Sequence, residues 1–268
     1  DVTLYLFFNK QDINMLQYQP DHTVLRDKII LVTGAGDGIG KEAALTYARY
    51  GATLILLGRT LSKLEDVQNE IITSGGQQPM LYPLDLLTAS ENDYQEFADT
   101  IVKRFPHLDG VLQNAGLLGV VEPIINQPST LWHDVMQVNV NATFMLTKAL
   151  IPLMLKAPHA SLILTTSSVG RQGRYGWGAY SVSKFATEGL MQVLHEEYKD
   201  SSLRINCINP GGTRTSMRAS AFPDENAQKL KTPKDLMPLY LYLMSDDSIE
   251  VSGQSLDAQP DRKAGPAE

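Results

Sequence analysis

The chain has 268 residues, 43% hydrophobic and 20% charged, an ordinary globular composition for which a single α/β domain is a common solution. Its formal charge of −7 argues against a broad nucleic-acid or anionic-membrane surface. One cysteine, Cys207, excludes an intramolecular disulfide, and the five histidines show no paired metal-ligand spacing, so no metal site is indicated.

From the N-terminus, the apolar run at residues 4–8 is too short to span a membrane and lacks a basic flank before it, which makes a signal peptide unconvincing. Apolar runs then alternate with amphipathic stretches. Segments 28–32, 52–57, 79–84, 110–113, 161–165 and 203–208 read as strands, and 39–50, 62–73, 91–104, 130–155 and 180–199 as helices. That alternation predicts a single-domain, Rossmann-like, doubly wound parallel sheet with helices on both faces. Cys207 falls in a strand that reads as buried, where a thiol behaves as a small apolar residue. Residues 213–234 show no clear period and carry Pro223 and Pro233, so they read as a long excursion beyond the sixth strand, where loops cover ligands.

Two motifs carry chemistry. Thr33-Gly34-Ala35-Gly36-Asp37-Gly38-Ile39-Gly40 follows the first strand and opens a helix, where glycines let the backbone turn tightly and approach a pyrophosphate at the helix N-terminus. Tyr180-Ser-Val-Ser-Lys184 places a phenol and an ammonium four residues apart on one helix face, about 6 Å between Cβ atoms, so that the cation favours the ionised phenol. The serine pair Ser167-Ser168 lies just upstream. The second strand ends Gly58-Arg59, where an acid would bind the ribose 2′-hydroxyl of NAD; a small residue followed by arginine leaves room for, and a donor to, a 2′-phosphate. NADP(H) is therefore expected over NAD(H), with Asp37 as the feature pointing the other way.

These motifs, with Asn114-Ala115-Gly116, Asn139, Pro210-Gly211 and Thr215 in order, resemble the short-chain dehydrogenase/reductase family over residues 27–257. Asn206 to Arg218 and Val169 to Arg174 resemble its bacterial YciK-type oxidoreductases. The resemblance implies that Tyr180 is the general acid/base, that Lys184 also holds the nicotinamide ribose, and that Ser167 polarises the substrate oxygen, with Ser168 in reserve. It further implies that Asn139 supports a water-linked proton path, and that Asn114, Ala115, Gly116, Asp85 and the adjoining Leu86 line the adenosine half. Pro210, Gly211, Thr213 and Thr215 would hold the nicotinamide, Thr215 at its carboxamide. Residues 1–20 fall outside the pattern and read as an extension, non-native or disordered, with Met15 a candidate start; 21–268 read as one dinucleotide-binding and catalytic domain.

The expected partner is a small carbonyl or alcohol substrate, met by Arg171, Trp177 and Met217, with Arg174, Tyr175, Arg218 and Phe222 nearby. The three arginines suit a carboxylate or phosphate. A cytoplasmic homo-oligomer, dimer or tetramer, is expected, although the ending Gly253 to Pro260 lacks the paired glycines of a familiar tetramer contact. The alternatives are a non-catalytic NADP-binding sensor or scaffold and, among enzymes, a 3-oxoacyl reductase.

Overall fold

The computed structural model describes residues 15–266; the apolar run at 4–8 and most of the proposed extension lie outside the described residues. Seven strands, β1 (Ile29–Thr33), β2 (Thr53–Gly58), β3 (Met80–Pro83), β4 (Gly110–Gln113), β5 (Ala160–Thr165), β6 (Leu203–Asn209) and β7 (Ser255–Asp257), form one parallel sheet ordered β3-β2-β1-β4-β5-β6-β7. The chain winds outward from β1 to β3, returns to set β4 beside β1, and winds out the other way. The crevice at that reversal, beyond the carboxyl ends of β1 and β4, is where ligands bind in such sheets.

Both sheet faces are covered, so the central strands are mostly apolar. Ile29 and Leu31 of β1 pack with helices α3 (Glu91–Arg104), α5 (Ala142–Met154) and α6 (Gly178–Tyr198). Ile30 and Val32 pack with α1 (Gly38–Arg49), α2 (Leu61–Thr73) and α8 (Met237–Met244). Complete burial of each such side chain contributes about 1.5–3 kcal/mol. Arg204 is buried on β6 without a carboxylate, its guanidinium instead donating to the Leu243, Ser245 and Ser248 carbonyls at 3.0–3.2 Å and capping the end of α8. Tyr18, from the 15–20 segment, hydrogen-bonds Ser245 at 3.1 Å and Asp247 at 2.5 Å.

Several elements differ from the sequence-based expectation. The single helix expected over 130–155 is α4 (Ser129–Met136), a π-helical turn (Gln137–Asn141) and α5; a one-residue insertion barely disturbs apolar spacing but re-aims the side chains it carries. Strand β3 stops at Pro83, so Asp85 lies past it in a turn, its carboxylate accepting from Leu87 N at 3.1 Å. The 213–234 excursion holds α7 (Ser216–Ala221) and a bridge between Thr213 and Lys231. Helix α8 and strand β7 were not expected at all. No helix among the described residues is long and apolar enough to cross a membrane, and no metal-ligand cluster occurs among them.

Candidate active site

A cleft of about 990 Å³ follows the carboxyl ends of the strands, a volume suited to a dinucleotide-sized ligand. Its first wall is the glycine loop. Gly34 and Gly38 hold φ of +65° and +53°, which side chains disfavour. A Cβ on Gly40 would run into the Gly34 carbonyl and approach Asn114 Nδ2 to 2.7 Å, and one on Gly36 would come 2.9 Å from Lys63 Cβ. The loop is thus a cradle of bare backbone at the start of α1, and it fits a pyrophosphate. Thr33 Oγ1 accepts from both Asn114 N and Ala115 N at 3.0 Å, tying the loop after β4 to β1.

At the end where the sequence places the adenosine half, Arg59 is exposed after β2 with no hydrogen bond or ion pair to a described residue. Lys63, four residues on, lines the same cleft. Asp37 caps α1 by accepting from Gly38 N at 2.7 Å, pairs with Lys63 at 3.3 Å and accepts from Ser216 Oγ at 3.2 Å. Partial burial works against its ionisation, but the Gly38 amide and the Lys63 ammonium prevail and hold its carboxyl below the usual range. The carboxylate that counted against a 2′-phosphate is thereby matched by a cation. Lys63 was missed in the sequence, although its spacing from Arg59 was visible there.

At the other end, Tyr180 and Lys184 lie on α6, with Lys184 Nζ 5.5 Å from the Tyr180 ring centroid and donating to the Thr165 carbonyl at 2.8 Å. Gly170 admits this helix, since a Cβ there would overlap the Lys184 backbone at 2.7 Å. Tyr180 lies beside Ser167, which opens a short 3-10 turn with its Oγ accepting from Val169 N at 3.4 Å. Asn139, buried in the π turn, accepts from Leu117 N at 2.7 Å and donates to Leu117 O and Ser183 Oγ, both at 2.9 Å. Its amide is therefore taken up in stapling the loop after β4 to α6, and Gly116 fills the space between it and Lys184.

The electrostatics run opposite to the simple expectation. Loss of water around the phenol pushes Tyr180 up to about 12, although the neighbouring Ser167 hydroxyl opposes the shift. Burial lowers Lys184 to about 8. With these groups alone, Lys184 does not depress the phenol: the Tyr180 hydroxyl is a proton donor throughout the neutral range.

The third wall is made of loops. Trp177 packs against Tyr180 and Phe222 at ring-centroid distances of 5.7 and 6.0 Å. Thr215 caps α7, accepting from Arg218 N at 3.1 Å. Arg171 is paired with Asp257 and lies 3.6 Å from Glu188, and Arg218 forms a two-point pair with the buried Glu225 at 2.6 and 2.7 Å. Arg262 reaches the same carboxylate at 3.4 Å, and Gln259 donates to Pro210 O at 2.8 Å and Gly212 O at 3.1 Å, so residues 259–265 lie along the cleft. No sequence signal pointed to this tail.

Every catalytic and cofactor residue expected from sequence lines this cleft except Gly40, packed beneath Gly34, and Asn139, behind Gly116. Tyr175 is 86% exposed, and neither it nor Phe222 lines the cleft. Cys207 is fully buried, its thiol pushed well up by burial, in keeping with a packing role.

Residues 28–226 match the model of the short chain dehydrogenase family. The chain is 62% identical over 250 residues to the oxidoreductase YciK of Escherichia coli (strain K12), covering 93% of this chain and 99% of that protein. Among solved structures it is similar to a short-chain dehydrogenase of Shigella flexneri 2a (strain 301) in complex with NADP, at 63% identity and a TM-score of 0.88, covering 89% of this chain and 100% of that one. A short-chain dehydrogenase of Escherichia coli CFT073 in complex with NADPH gives 63% identity and a TM-score of 0.89, covering 90% and 100%.

Proposed function

The chain belongs to the short-chain dehydrogenase family, and from that premise we propose that it is an NADP(H)-dependent oxidoreductase interconverting a small carbonyl compound and its alcohol, with Tyr180 moving the proton. The observation that carries this reading is one cleft with a glycine cradle at one end and Tyr180 beside Ser167 and a buried Lys184 at the other. Bound NADPH supplies the hydride for reduction, and NADP accepts it in alcohol oxidation.

The chain's own groups do the rest. The glycine loop and the start of α1 receive the pyrophosphate. Arg59 and Lys63 meet the 2′-phosphate, a choice of cofactor supported by the NADP and NADPH complexes of the similar structures. Ser167 Oγ holds the substrate oxygen as charge grows on it, and the Tyr180 hydroxyl, protonated at neutral pH, gives it the proton. Lys184, held by the Thr165 carbonyl, keeps a cation beneath the ring, and Asn139 keeps the loop after β4 seated against α6. Gly211, Thr213 and Thr215 flank the nicotinamide, and Trp177 and Met217 form the substrate's apolar side.

The protein would work in the cytoplasm, where its cofactor is abundant, as a homodimer. Phe144 on α5 and Val182, Phe185 and Val193 on α6 remain 41–54% exposed and support pairing of these helices with a second copy. The test is titration of the purified protein with NADPH and NADH, then NADPH consumption against aldehydes and ketones. Tighter binding of NADPH with turnover is expected; binding without turnover on any carbonyl would instead indicate a sensor.

A further inference from the structure

Four arginines line the substrate side of the cleft, and three of them have a carboxylate partner. Arg171 is paired with Asp257, while Arg218 and Arg262 share Glu225. Arg174 is different. It is partly buried, and its guanidinium has one side-chain partner among the described residues, the uncharged Ser168 Oγ at 3.1 Å. That hydroxyl belongs to the residue after Ser167, and the Arg174 carbonyl accepts from Trp177 N at 3.2 Å, so both its side chain and its backbone are tied to the reacting end of the cleft. Lys263, on the tail, likewise lines the cleft without a hydrogen bond or ion pair to a described residue. In a chain with 30 acidic residues and a net charge of −7, a guanidinium without a carboxylate partner beside three that have one marks a place where the negative charge comes from the ligand.

We propose that the substrate carries an oxyanion group, a carboxylate or a phosphate, which the Arg174 guanidinium binds while the carbonyl meets Ser167 and Tyr180. This rests on the oxidoreductase reading above and names its substrate class. The planar fork of the guanidinium presents paired donors to either oxyanion, and fixing the far end of the substrate restricts how its carbonyl meets Tyr180.

The experiment compares NADPH-dependent kcat/KM for benzaldehyde with 4-carboxybenzaldehyde, and for glyceraldehyde with glyceraldehyde 3-phosphate. It is run in wild type, Arg174→Gln, Arg174→Lys and, as a charge control remote from the cleft, Lys199→Gln. Wild type is expected to favour one anionic member by tenfold or more. Arg174→Gln should lower that ratio at least tenfold, Arg174→Lys should recover part of it, and Lys199→Gln should leave it unchanged; which pair responds separates carboxylate from phosphate. Turnover of the neutral carbonyls with no anionic preference, or a preference that survives in Arg174→Gln, overturns the proposal and spares the oxidoreductase reading. Calorimetric titration of the protein–NADPH complex with benzoate and with inorganic phosphate keeps the two readings apart: Arg174-dependent anion binding without any carbonyl turnover would sink the oxidoreductase reading alone.

Discussion

The floor of the cleft and its outer wall are held by different forces. On the floor, Lys184 and Asn139 are buried and fixed by backbone groups: the Thr165 carbonyl for one, the Leu117 amide and carbonyl for the other. The wall, α7 with residues 259–265, is held by contacts from long side chains, with Glu225 between Arg218 and Arg262, Gln259 on the Pro210 and Gly212 carbonyls and, nearby, Asp257 on Arg171. Backbone partners move only if the sheet moves, so the floor is preorganised for one chemistry. Charge pairs between loops can be exchanged without disturbing the core, which suits the part of the site that chooses the substrate.

The largest expected effect lies on the floor. Tyr180→Phe removes the proton donor and keeps the ring packed on Trp177, so kcat should fall about 10²–10⁴-fold while NADPH affinity stays within a few-fold, as read by stopped-flow turnover and fluorescence titration. Equal activity in that variant would erase the distinction between floor and wall.

The wall's counterpart is Glu225→Ala. It strands two guanidiniums, each 14–18% exposed, and should cost about 2 kcal/mol in denaturant unfolding, with faster hydrogen exchange in residues 259–265 and a raised substrate KM but unchanged cofactor affinity.

Lys184→Met tests what the floor costs the fold. Burial lowers the folded lysine to about 8 from 10.5, so its ammonium penalty is complete below pH 8. The penalty is relieved as pH rises to 10.5, because the folded protein releases that proton before the unfolded chain does. Lys184→Met should therefore be the more stable protein at pH 7, by about 1–3 kcal/mol after allowing for its lost bond to Thr165, with the advantage shrinking by pH 9.5. Denaturant melts at both pH values measure it.

The smallest effect is at the exposed cofactor end: Arg59→Ala should reduce the NADPH-to-NADH preference in kcat/KM about tenfold, with Lys63 retaining the remainder.

What the sequence disclosed follows the same division. The central strands were legible because burial on both faces leaves long apolar runs, as in β1 and β2. Tyr180, Lys184 and the glycine loop were legible because local spacing fixes their geometry. The wall was not, because Glu225 meets Arg262 across 37 residues and Asp257 meets Arg171 across 86, distances at which pattern carries no signal. Strand β7 has three half-buried residues, too few to show a period, and the π turn hid inside an unbroken apolar rhythm.

Strand β7 and the tail beyond it are also synthesised after the other elements that line the cleft. Asp257 and Arg262, which complete the wall, emerge from the ribosome after the glycine loop, Arg59, Tyr180 and Lys184 are already available to fold. During synthesis the cofactor end of the cleft is thus available to fold before the charge pairs of its outer wall can form.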